Sequence, residues 1–198
     1  MFTGIVESVG RIAAREARGG DVRLTLAVGN LPFVNVARGE SIAVSGTCLT
    51  VVEFDAASFT ADVSNQSLAC TTLGTLPMFA AVNLERAMLP TTRFGGHLVA
   101  GHVDAVGRVA SIAFDGRSQR WRFEVPTSVL RYVAAKGSIC VDGVSLTVNR
   151  VDAAGFEVNL VPHTIASTAF SATDVGGSVN LEVDLVARYV ERLLSANV

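Results

Sequence analysis

The stretch Gly137–Val148 reads GSICVDGVSLTV, and the stretch Glu40–Val51, ninety-seven residues earlier, reads ESIAVSGTCLTV. Each consists of two β-prone runs joined at a glycine, which is the pattern of a tight β-hairpin. The two stretches share Ser, Ile, Val, Gly, Leu, Thr and Val at matching positions. They differ where Cys48 matches Ser145 and where Ser45 matches Asp142. The chain therefore repeats one hairpin, with chemically different side chains at equivalent points.

The repeat extends well beyond this hairpin. The same offset of 97 aligns Val9–Arg11 with Val106–Arg108 and Val82–Glu85 with Val179–Glu182. Each copy reads as about six short strands separated by glycine-bearing turns, and closing such antiparallel strands into a barrel removes their unpaired edges. We therefore predict an all-β fold of two tandem six-stranded antiparallel Greek-key barrels related by internal duplication.

The predicted domains are an N-barrel over residues 1–94 and a C-barrel over residues 95–184, followed by a helix over residues 185–198. The helix is predicted because the apolar residues of Leu185–Leu194 recur at helical spacing, while its polar residues are mixed in charge. A terminal helix of this kind needs a partner, and self-association is favoured over membrane contact. A short helix capped by Thr127 is also predicted.

The composition limits the classes of function. The 198 residues are 49% hydrophobic and 17% charged, which indicates an oligomer with apolar surface between subunits. A net charge of −2 with no basic stripe argues against nucleic acid, and no apolar run reaches the ~18 residues of a membrane helix. An acidic residue in the first seven positions argues against a signal peptide. Three cysteines without a C-x-x-C pair indicate reduced thiols in the cytoplasm, with no zinc or other metal site.

Several polar residues could carry chemistry. His102 lies in a glycine-rich turn and titrates in the range that suits a general acid or base. Cys48 and Ser145 are potential nucleophiles or hydrogen-bond donors, although residue type alone favours a buried thiol and a strand hydroxyl. The polar runs Asp62–Ser67 and Asn159–Thr164 follow matched strands and suit a polyhydroxylated or heterocyclic ligand, although caps of a following helix explain Ser67 and Thr164 equally well. Duplication for stability alone remains an alternative to two ligand sites.

Five segments together resemble one known family. They are Met1–Glu7 (MFTGIVE), Gly46–Val51 (GTCLTV), Asn83–Ala87 (NLERA), Gly95–Asp104 (GGHLVAGHVD) and Asp142–Val148 (DGVSLTV). In combination they look like riboflavin synthase of the alpha-chain type, over essentially the whole chain. The resemblance implies a cofactor-free transferase of riboflavin biosynthesis, in which one 6,7-dimethyl-8-ribityllumazine gives a four-carbon unit to another. The products are riboflavin and 5-amino-6-ribitylaminouracil.

The resemblance also implies an assembly and a set of site residues. The family forms homotrimers through the C-terminal helix, with each active site between the N-barrel of one subunit and the C-barrel of its neighbour. Association with lumazine synthase is a further partnership that the resemblance allows. The implied N-barrel site comprises Gly4, Ile5, Val6, Ser41, Cys48, Leu49, Thr50, Asp62, Val63, Ser64, Asn65, Gln66 and Ser67. The implied C-barrel site comprises Gly101, His102, Val103, Lys136, Ser145, Leu146, Thr147, Asn159, Leu160, Val161, Pro162, His163 and Thr164.

The resemblance assigns chemical roles to six residues. His102 and Thr147 are expected near the acidic methyl group of one lumazine. Ser145, Cys48 and Asp184 are expected to assist at the other ring, and Phe2 to pack on or beside a ring. Which of them is the base stays open.

Two other functions compete with this one. A non-catalytic lumazine- or flavin-binding protein could use the same duplicated barrel. A flavin-dependent oxidoreductase would need a dinucleotide-binding domain, and no G-x-G-x-x-G follows a strand in a βαβ unit.

Overall fold

The computed structural model of the chain describes residues 1–195. The first repeat contains strands β1 to β7, the short helix α1 and one 3₁₀ turn. In order these are β1 (Ser8–Arg18), β2 (Asp21–Ala27), β3 (Ser41–Val44), β4 (Thr47–Thr50), β5 (Glu53–Phe54), β6 (Ser58–Val63), α1 (Asn65–Cys70), the 3₁₀ turn Thr72–Gly74 and β7 (Ala81–Arg86).

The second repeat follows the same order, with an additional helix after its second strand and one strand in place of β4 and β5. Its elements are β8 (Ala105–Asp115), β9 (Ser118–Glu124), α2 (Thr127–Leu130), β10 (Ser138–Val141), β11 (Val144–Val151), β12 (Gly155–Leu160), α3 (Pro162–Ala166), the 3₁₀ turn Ala169–Ala172, β13 (Ser178–Val183) and the terminal helix α4 (Leu185–Ser195).

Strands β8 to β13 form a closed antiparallel barrel in the order β10-β11-β12-β9-β8-β13. Strand β11 pairs with β10 as far as Thr147 and with β12 from Val148 onward, and its pairing with β12 has a register shift between Val148 and Arg150. Each barrel has its own apolar core; the C-barrel core is built around Trp121, Phe123 and Phe156, all 1% exposed or less. The predicted six-stranded barrel is confirmed for this repeat.

The first repeat is a seven-stranded sheet in the order β4-β3-β7-β1-β2-β6-β5. Its two edge strands, β4 and β5, are separated in the chain only by Val51 and Val52. They correspond to the single strand β11, because β4 pairs with β3 while β5 pairs with β6. The Val52 amide also donates to the Thr60 carbonyl at 2.9 Å. The extra strand therefore reflects a break where one strand changes partner.

The repeated hairpins turn at Ser45–Gly46 and at Asp142–Gly143. All four residues have positive φ, at 44° and 80° in the first turn and 47° and 80° in the second. Two consecutive residues with positive φ match the right-handed twist of a two-residue hairpin, and glycine fits the second position without strain. The glycine seen in the sequence therefore closes β3 onto β4 and β10 onto β11.

The two hairpin turns meet between the barrels and are joined by a reciprocal pair of asparagines. The Asn83 side-chain amide donates to the Asp142 carbonyl at 2.8 Å, and that of Asn180 donates to the Ser45 carbonyl at 2.7 Å. Both asparagines are at most 2% exposed. Each repeat thus satisfies a buried turn of the other, which fixes the barrels relative to one another.

The helices differ in detail from the sequence prediction. Helix α2 begins at Thr127 and ends at Leu130, with Pro126 rather than Thr127 at the N-cap position. The polar run after β6 is helical, and Ser64, not Ser67, caps α1 by accepting from the Ser67 amide. Helix α3 likewise contains Thr164 inside its span. The final three residues of the predicted C-terminal helix lie outside the described residues.

Helix α4 is attached to the C-barrel through its polar face. Arg188 forms an ion pair with Asp104 at 2.7 Å, and Glu191 forms one with Arg131 at 2.6 Å and also accepts from the Tyr132 hydroxyl. Its apolar residues stay outside, including Val186 at 62% and Tyr189 at 65% exposure. Within residues 1–195, no helix is both long and apolar enough to span a membrane.

Candidate active site

Two extended segments cross between the barrels, and we call them straps. The N-terminal strap is residues 1–6, and the central strap is residues 96–103. They pair with each other where the Phe2 amide donates to the Val99 carbonyl at 2.8 Å and the Val99 amide donates back at 3.1 Å. The two paired residues occupy equivalent positions in the repeat, so the straps cross at the centre of the internal symmetry.

Each strap lies on the hairpin of the opposite barrel. The Ser145 amide donates to the Gly4 carbonyl at 2.7 Å, and the Cys48 amide donates to the Gly101 carbonyl at 2.9 Å. This corrects the sequence-based grouping, which placed residues 4–6 with the N-barrel hairpin and residues 101–103 with the C-barrel hairpin. The reason is that each strap crosses to the other repeat before the first strand of its own repeat begins.

Close backbone approach explains the glycines of both straps. Gly4 and Gly101 have φ of +75° and +81°. A Cβ atom on Gly4 would lie 2.7 Å from the Ser145 Cβ, and one on Gly101 would lie 2.6 Å from the Cys48 Cβ. Any side chain at these positions would push the strap away from the two residues predicted to carry chemistry.

A buried carboxylate holds each strap. Glu85 in β7 accepts from the amides of Thr3 and Gly4 at 2.6 and 3.0 Å, and from the Thr3 hydroxyl at 2.7 Å. Glu182 in β13 accepts from the amides of residues 100–102, at 2.7 to 3.0 Å. Burial raises the pKa of both carboxyl groups, and the amide donors act in the opposite direction. The straps are thereby fixed along the barrel openings.

A histidine of the central strap and a serine of the C-barrel hairpin form a hydrogen-bonded pair. The Nδ1 atom of His97 lies 2.7 Å from the Oγ atom of Ser145. Burial lowers the pKa of His97 from its ordinary 6.5, while the negative charge of Asp184 acts in the opposite direction. In the tautomer whose Nδ1 atom carries no proton, the neutral imidazole can take a proton from the Ser145 hydroxyl.

The equivalent position in the N-barrel carries a thiol in a different environment. Cys48 is half-buried, and within residues 1–195 its side chain makes no hydrogen bond. His102 follows Gly101 in the central strap. The side chain of His102 is exposed, and its backbone amide donates to Glu182. The two hairpins therefore present unlike chemical groups in matching geometry.

A small cavity opens beside Ser145. Its volume is about 150 Å³, and it is lined by residues 4–6 together with Ser145, His163 and Thr164, among others. Pockets that enclose a small-molecule ligand measure ~300–1,000 Å³. The cavity brings three of the predicted segments together, but it is too small to surround a bicyclic ring with a sugar-alcohol chain.

Of the remaining predicted site residues, some lie on the exposed face of their strand and others on the face that points into a barrel core. Thr50, Asp62, Thr147 and Asn159 are exposed, whereas Leu49, Val63, Leu146 and Leu160 point into the barrel cores and are at most 8% exposed. The buried members can contact a ligand only through their backbone. Exposed or half-buried members of the predicted set also include Ile5, Val6, Ser41, Ser64, Asn65, Gln66, Ser67, Val103, Val161, Pro162, His163 and Thr164.

Three predicted residues have functions in the fold that the sequence did not indicate. Phe2 is fully buried with Ala43, Val99 and Cys140 between the barrels, so its ring anchors the strap and presents no face to a ligand. Asp62 forms a two-bond ion pair with Arg23, at 2.7 and 2.8 Å. Asp184 accepts from the Val186 amide at the start of α4.

Lys136 stands in a strained turn. Its φ is +68°, in the left-handed region, and its amide donates to the Val148 carbonyl at 2.8 Å. The equivalent residue of the first repeat is Gly39, with φ of +86° and the same bond to Val51. The second repeat therefore keeps an exposed lysine where a glycine would be unstrained.

The third cysteine, Cys140, is a buried residue of the core, and the described residues contain no cluster of metal ligands. Cys140 is 1% exposed, and burial raises the pKa of its thiol well above the usual range, as expected of a small buried hydrophobe. Among residues 1–195, no three His, Cys, Asp or Glu side chains are grouped so as to hold a metal ion.

The fold and the crossed straps define a class of tandem ligand-binding barrels, and sequence comparison identifies that class. A model of the lumazine binding domain matches the chain twice, over residues 3–87 and 100–184. The two matches are displaced by 97 residues, which is the offset of the internal repeat.

Full-length relatives give the family. Riboflavin synthase of Photobacterium phosphoreum is 48% identical, covering 98% of this chain and 89% of that protein. Riboflavin synthase of Mycobacterium tuberculosis is also 48% identical, covering 98% of both chains. The chain belongs to the riboflavin synthase family.

Solved structures share the fold at lower identity. LumP complexed with riboflavin superposes with a TM-score of 0.85 at 22% identity, covering 92% of this chain and 99% of that one. LumP complexed with 6,7-dimethyl-8-(1'-D-ribityl) lumazine gives a TM-score of 0.82 at the same identity and coverage. These matches support the duplicated-barrel fold.

His97, Glu85 and Glu182 are the site residues that sequence reasoning missed. His97 lies in the same glycine-rich segment as His102, but its contact with Ser145 spans 48 residues and cannot be deduced from spacing. The two glutamates were visible as equivalent acids in N-L-E motifs of matched strands. An acid repeated on a buried strand was the available signal, because such a carboxylate needs hydrogen-bond donors.

Proposed function

We propose that the chain is a riboflavin synthase that uses two unlike half-sites for two copies of one substrate. One 6,7-dimethyl-8-ribityllumazine gives up a four-carbon unit to the other, forming riboflavin and 5-amino-6-ribitylaminouracil. Atoms balance between two lumazines and the two products, so the reaction needs no oxidant or added cofactor. The observation that carries the proposal is the matched placement of Cys48 and Ser145 under crossed straps, in a chain of this family.

The proposed chemistry requires a proton to leave the C7 methyl group of one lumazine while a nucleophile adds to the other. The resulting anion is delocalised over the bound heterocycle, so the protein mainly positions the rings and moves protons. We assign proton transfer at the C-barrel half-site to the His97–Ser145 pair, supported by their 2.7 Å contact. Thr147, exposed on the same face of β11 as Ser145, stays a predicted contributor. His102 and Cys48 are assigned to the N-barrel half-site.

The straps change which segments belong to each half-site. The C-barrel half-site is proposed to consist of residues 4–6, Lys136, residues 145–147 and residues 159–164. The N-barrel half-site consists of Ser41, residues 48–50, residues 62–67 and residues 101–103. Strand-end amides of these segments would read the pyrimidinedione edge, and their hydroxyl and amide side chains would hold the ribityl oxygens.

A homotrimer in the cytoplasm completes the proposal. The cavity beside Ser145, of about 150 Å³, is smaller than the pockets that enclose such ligands, which supports a second surface that completes the half-site. The exposed apolar residues of α4 supply a face for self-association, as expected for the predicted oligomerisation segment. An N-barrel from one subunit would then face a C-barrel of the next. Association with lumazine synthase, and the division into segments 1–94, 95–184 and 185–198, stay predictions.

Incubation of the purified protein with saturating lumazine, without added metal or cofactor, tests the function. We expect riboflavin to form, followed by its absorbance, with one equivalent of the aminouracil per riboflavin. The alternative is a non-catalytic lumazine- or flavin-binding protein. It is supported by the fold shared with LumP, which was solved in complex with both kinds of ligand. Lumazine binding without any flavin formed would establish that alternative and reject the enzyme.

A further inference from the structure

Two buried carboxylates, Glu85 and Glu182, form no ion pair among residues 1–195. Glu85 and Glu182 are 5% and 3% exposed, and within residues 1–195 their hydrogen bonds come from strap amides and the Thr3 hydroxyl. A buried charge without a counter-ion is costly unless several donors satisfy it. Each repeat has a buried glutamate at the same position of its last strand, Glu85 in β7 and Glu182 in β13. This repetition indicates that the glutamates hold the straps.

The hydrogen bonds run from one barrel to the other through a single residue. Glu85 of the N-barrel accepts from the Gly4 amide at 3.0 Å. The Gly4 carbonyl in turn accepts from the Ser145 amide of the C-barrel at 2.7 Å. Gly101 connects in the same way, since its amide binds Glu182 at 3.0 Å and its carbonyl accepts from the Cys48 amide at 2.9 Å. A displaced glutamate contact therefore moves the backbone beside the opposite reactive group.

We propose that Glu85 and Glu182 are crosswise positioning residues: Glu85 of the N-barrel positions the Ser145 half-site, and Glu182 of the C-barrel positions the Cys48 half-site. The inference deepens the proposed function by naming residues that act through the straps. It predicts that each glutamate affects the half-site of the other barrel and not that of its own. A generally destabilising substitution would not produce such a crossed pattern.

Thiol alkylation at the two equivalent positions tests the inference without relying on catalysis. The first reporter is Cys48 in a Cys70→Ser background, because Cys70 is exposed and Cys140 is buried. The second reporter is a Cys48→Ser, Cys70→Ser, Ser145→Cys chain, which places the only accessible thiol at the matching point of the C-barrel. Each reporter receives Glu85→Gln or Glu182→Gln, and the alkylation rate with iodoacetamide is followed by mass spectrometry.

A glutamine keeps the size of the side chain but sets an NH₂ group against a strap amide that needs an acceptor. We expect Glu182→Gln to raise the alkylation rate at position 48 about tenfold, and Glu85→Gln to raise the rate at position 145 by a similar factor. Each should leave the other reporter within about twofold. Glu7→Gln is the matched control, because Glu7 is exposed and, within residues 1–195, its carboxylate accepts a hydrogen bond only from the Arg86 amide, at 3.0 Å. It should leave both rates unchanged.

The other outcomes overturn the proposal. Faster alkylation in the glutamate's own barrel, equal changes at both positions, or no change at either would each contradict crosswise positioning. If Glu85→Gln does not fold, Thr3→Val removes one of its three bonds, the 2.7 Å contact from the Thr3 hydroxyl. It should give a smaller rise at position 145 alone. Because alkylation needs no catalytic turnover, the rates at positions 48 and 145 can be measured even in a variant without enzymatic activity.

Discussion

The Nδ1 atom of His97 lies 2.7 Å from the Oγ atom of Ser145, in a chain whose equivalent Cys48 side chain has no hydrogen bond within the described residues. The internal repeat therefore provides two matched positions, of which one carries a hydroxyl paired with a histidine and the other a thiol with no hydrogen bond among residues 1–195. Two identical substrates bound to such half-sites would meet different chemistry. This asymmetry suits the unlike roles of donor and acceptor in the proposed dismutation.

Replacing His97 should remove the base and keep the fold. We expect His97→Gln to lower kcat about 10²-fold or more, because glutamine can contact Ser145 but cannot take its proton. Burial lowers the pKa of His97 from 6.5, and the base works in its neutral form, so the acid limb of kcat/KM should lie below pH 6.5. That limb should vanish in the variant. Steady-state rates from pH 5 to 8 measure both effects.

A double-mutant cycle provides the control for His97. If His97 and Ser145 act as a unit, the double variant His97→Gln, Ser145→Ala should be about as slow as the slower single variant. Fully additive losses, or a His97→Gln variant with wild-type kcat, would contradict the proton-transfer assignment.

The Asp142 carboxyl should make the fold less stable as the pH rises. Burial raises its pKa from 3.8 to about 7, although it accepts from the Asn180 amide at 2.7 Å. Because the folded-state pKa is above the unfolded one, its stabilising contribution is complete below pH 3.8 and is lost as the pH rises through about 7. We expect Asp142→Asn to raise the free energy of unfolding at pH 8 by up to about 4 kcal/mol.

Denaturant unfolding of the Asp142 variant at pH 4 and pH 8 checks this expectation. The gain should be small at pH 4, where the wild-type carboxyl is mostly protonated in the folded state. Asp142→Ser removes the same charge and should show the same pH dependence, since Ser45 fills the equivalent position and its hydroxyl accepts from the Asn83 backbone amide at 3.2 Å. An equal change for Asp142→Asn at both pH values would show that the charge is not responsible.

The Gly101 position should not tolerate a side chain. Gly101→Ala combines a φ of +81° with a Cβ 2.6 Å from that of Cys48, so we expect a loss of stability beyond the ~1–2 kcal/mol of left-handed strain and weaker lumazine binding. Gly116→Ala is the control, with φ of +62° and no atom within 4 Å of the added carbon. Urea unfolding and fluorescence titration with lumazine distinguish them. Equal losses in both variants would show that close contact with Cys48 is unimportant.

Lys136 should show opposite effects on stability and activity. Lys136→Gly relieves the left-handed strain at φ +68° and should raise the free energy of unfolding by up to about 1 kcal/mol. The same change removes the exposed ammonium group and should raise KM for lumazine. Asn35→Gly, at φ +63° outside the proposed half-sites, should change stability without changing KM. An unchanged KM in Lys136→Gly would remove Lys136 from the substrate site.

The duplicated barrel could be predicted from the sequence because its signals are local. The glycine hairpins at Gly46 and Gly143, the alternating strands and the constant offset of 97 each depend on residues near one another in the chain. Periodicity also identified α4, which begins at Leu185 as expected. Boundaries shifted where capping decided them, as with Ser64 in place of Ser67 at α1.

The crossing of the straps could not be predicted, because it depends on contacts distant in sequence. Gly4 and Ser145, or Cys48 and Gly101, meet only after both barrels have formed. The offset alignment places Gly4 beside its own repeat, and nothing in composition indicates that it crosses to the other. For the same reason Phe2 was expected beside a ligand ring, whereas the crossing of the straps buries it completely.

Helix α4 should control assembly and, through it, catalysis. Val186 and Tyr189 are 62% and 65% exposed, so Val186→Glu with Tyr189→Glu should place charge on the proposed subunit interface without disturbing the barrels. We expect sedimentation at micromolar concentration to change from a trimer to a monomer, and flavin formation to fall at least 10²-fold, because an isolated chain cannot bring two half-sites together. Arg192→Glu, on the exposed polar part of the same helix, should remain a trimer. A monomeric double variant with full activity would show that one chain contains a complete active site.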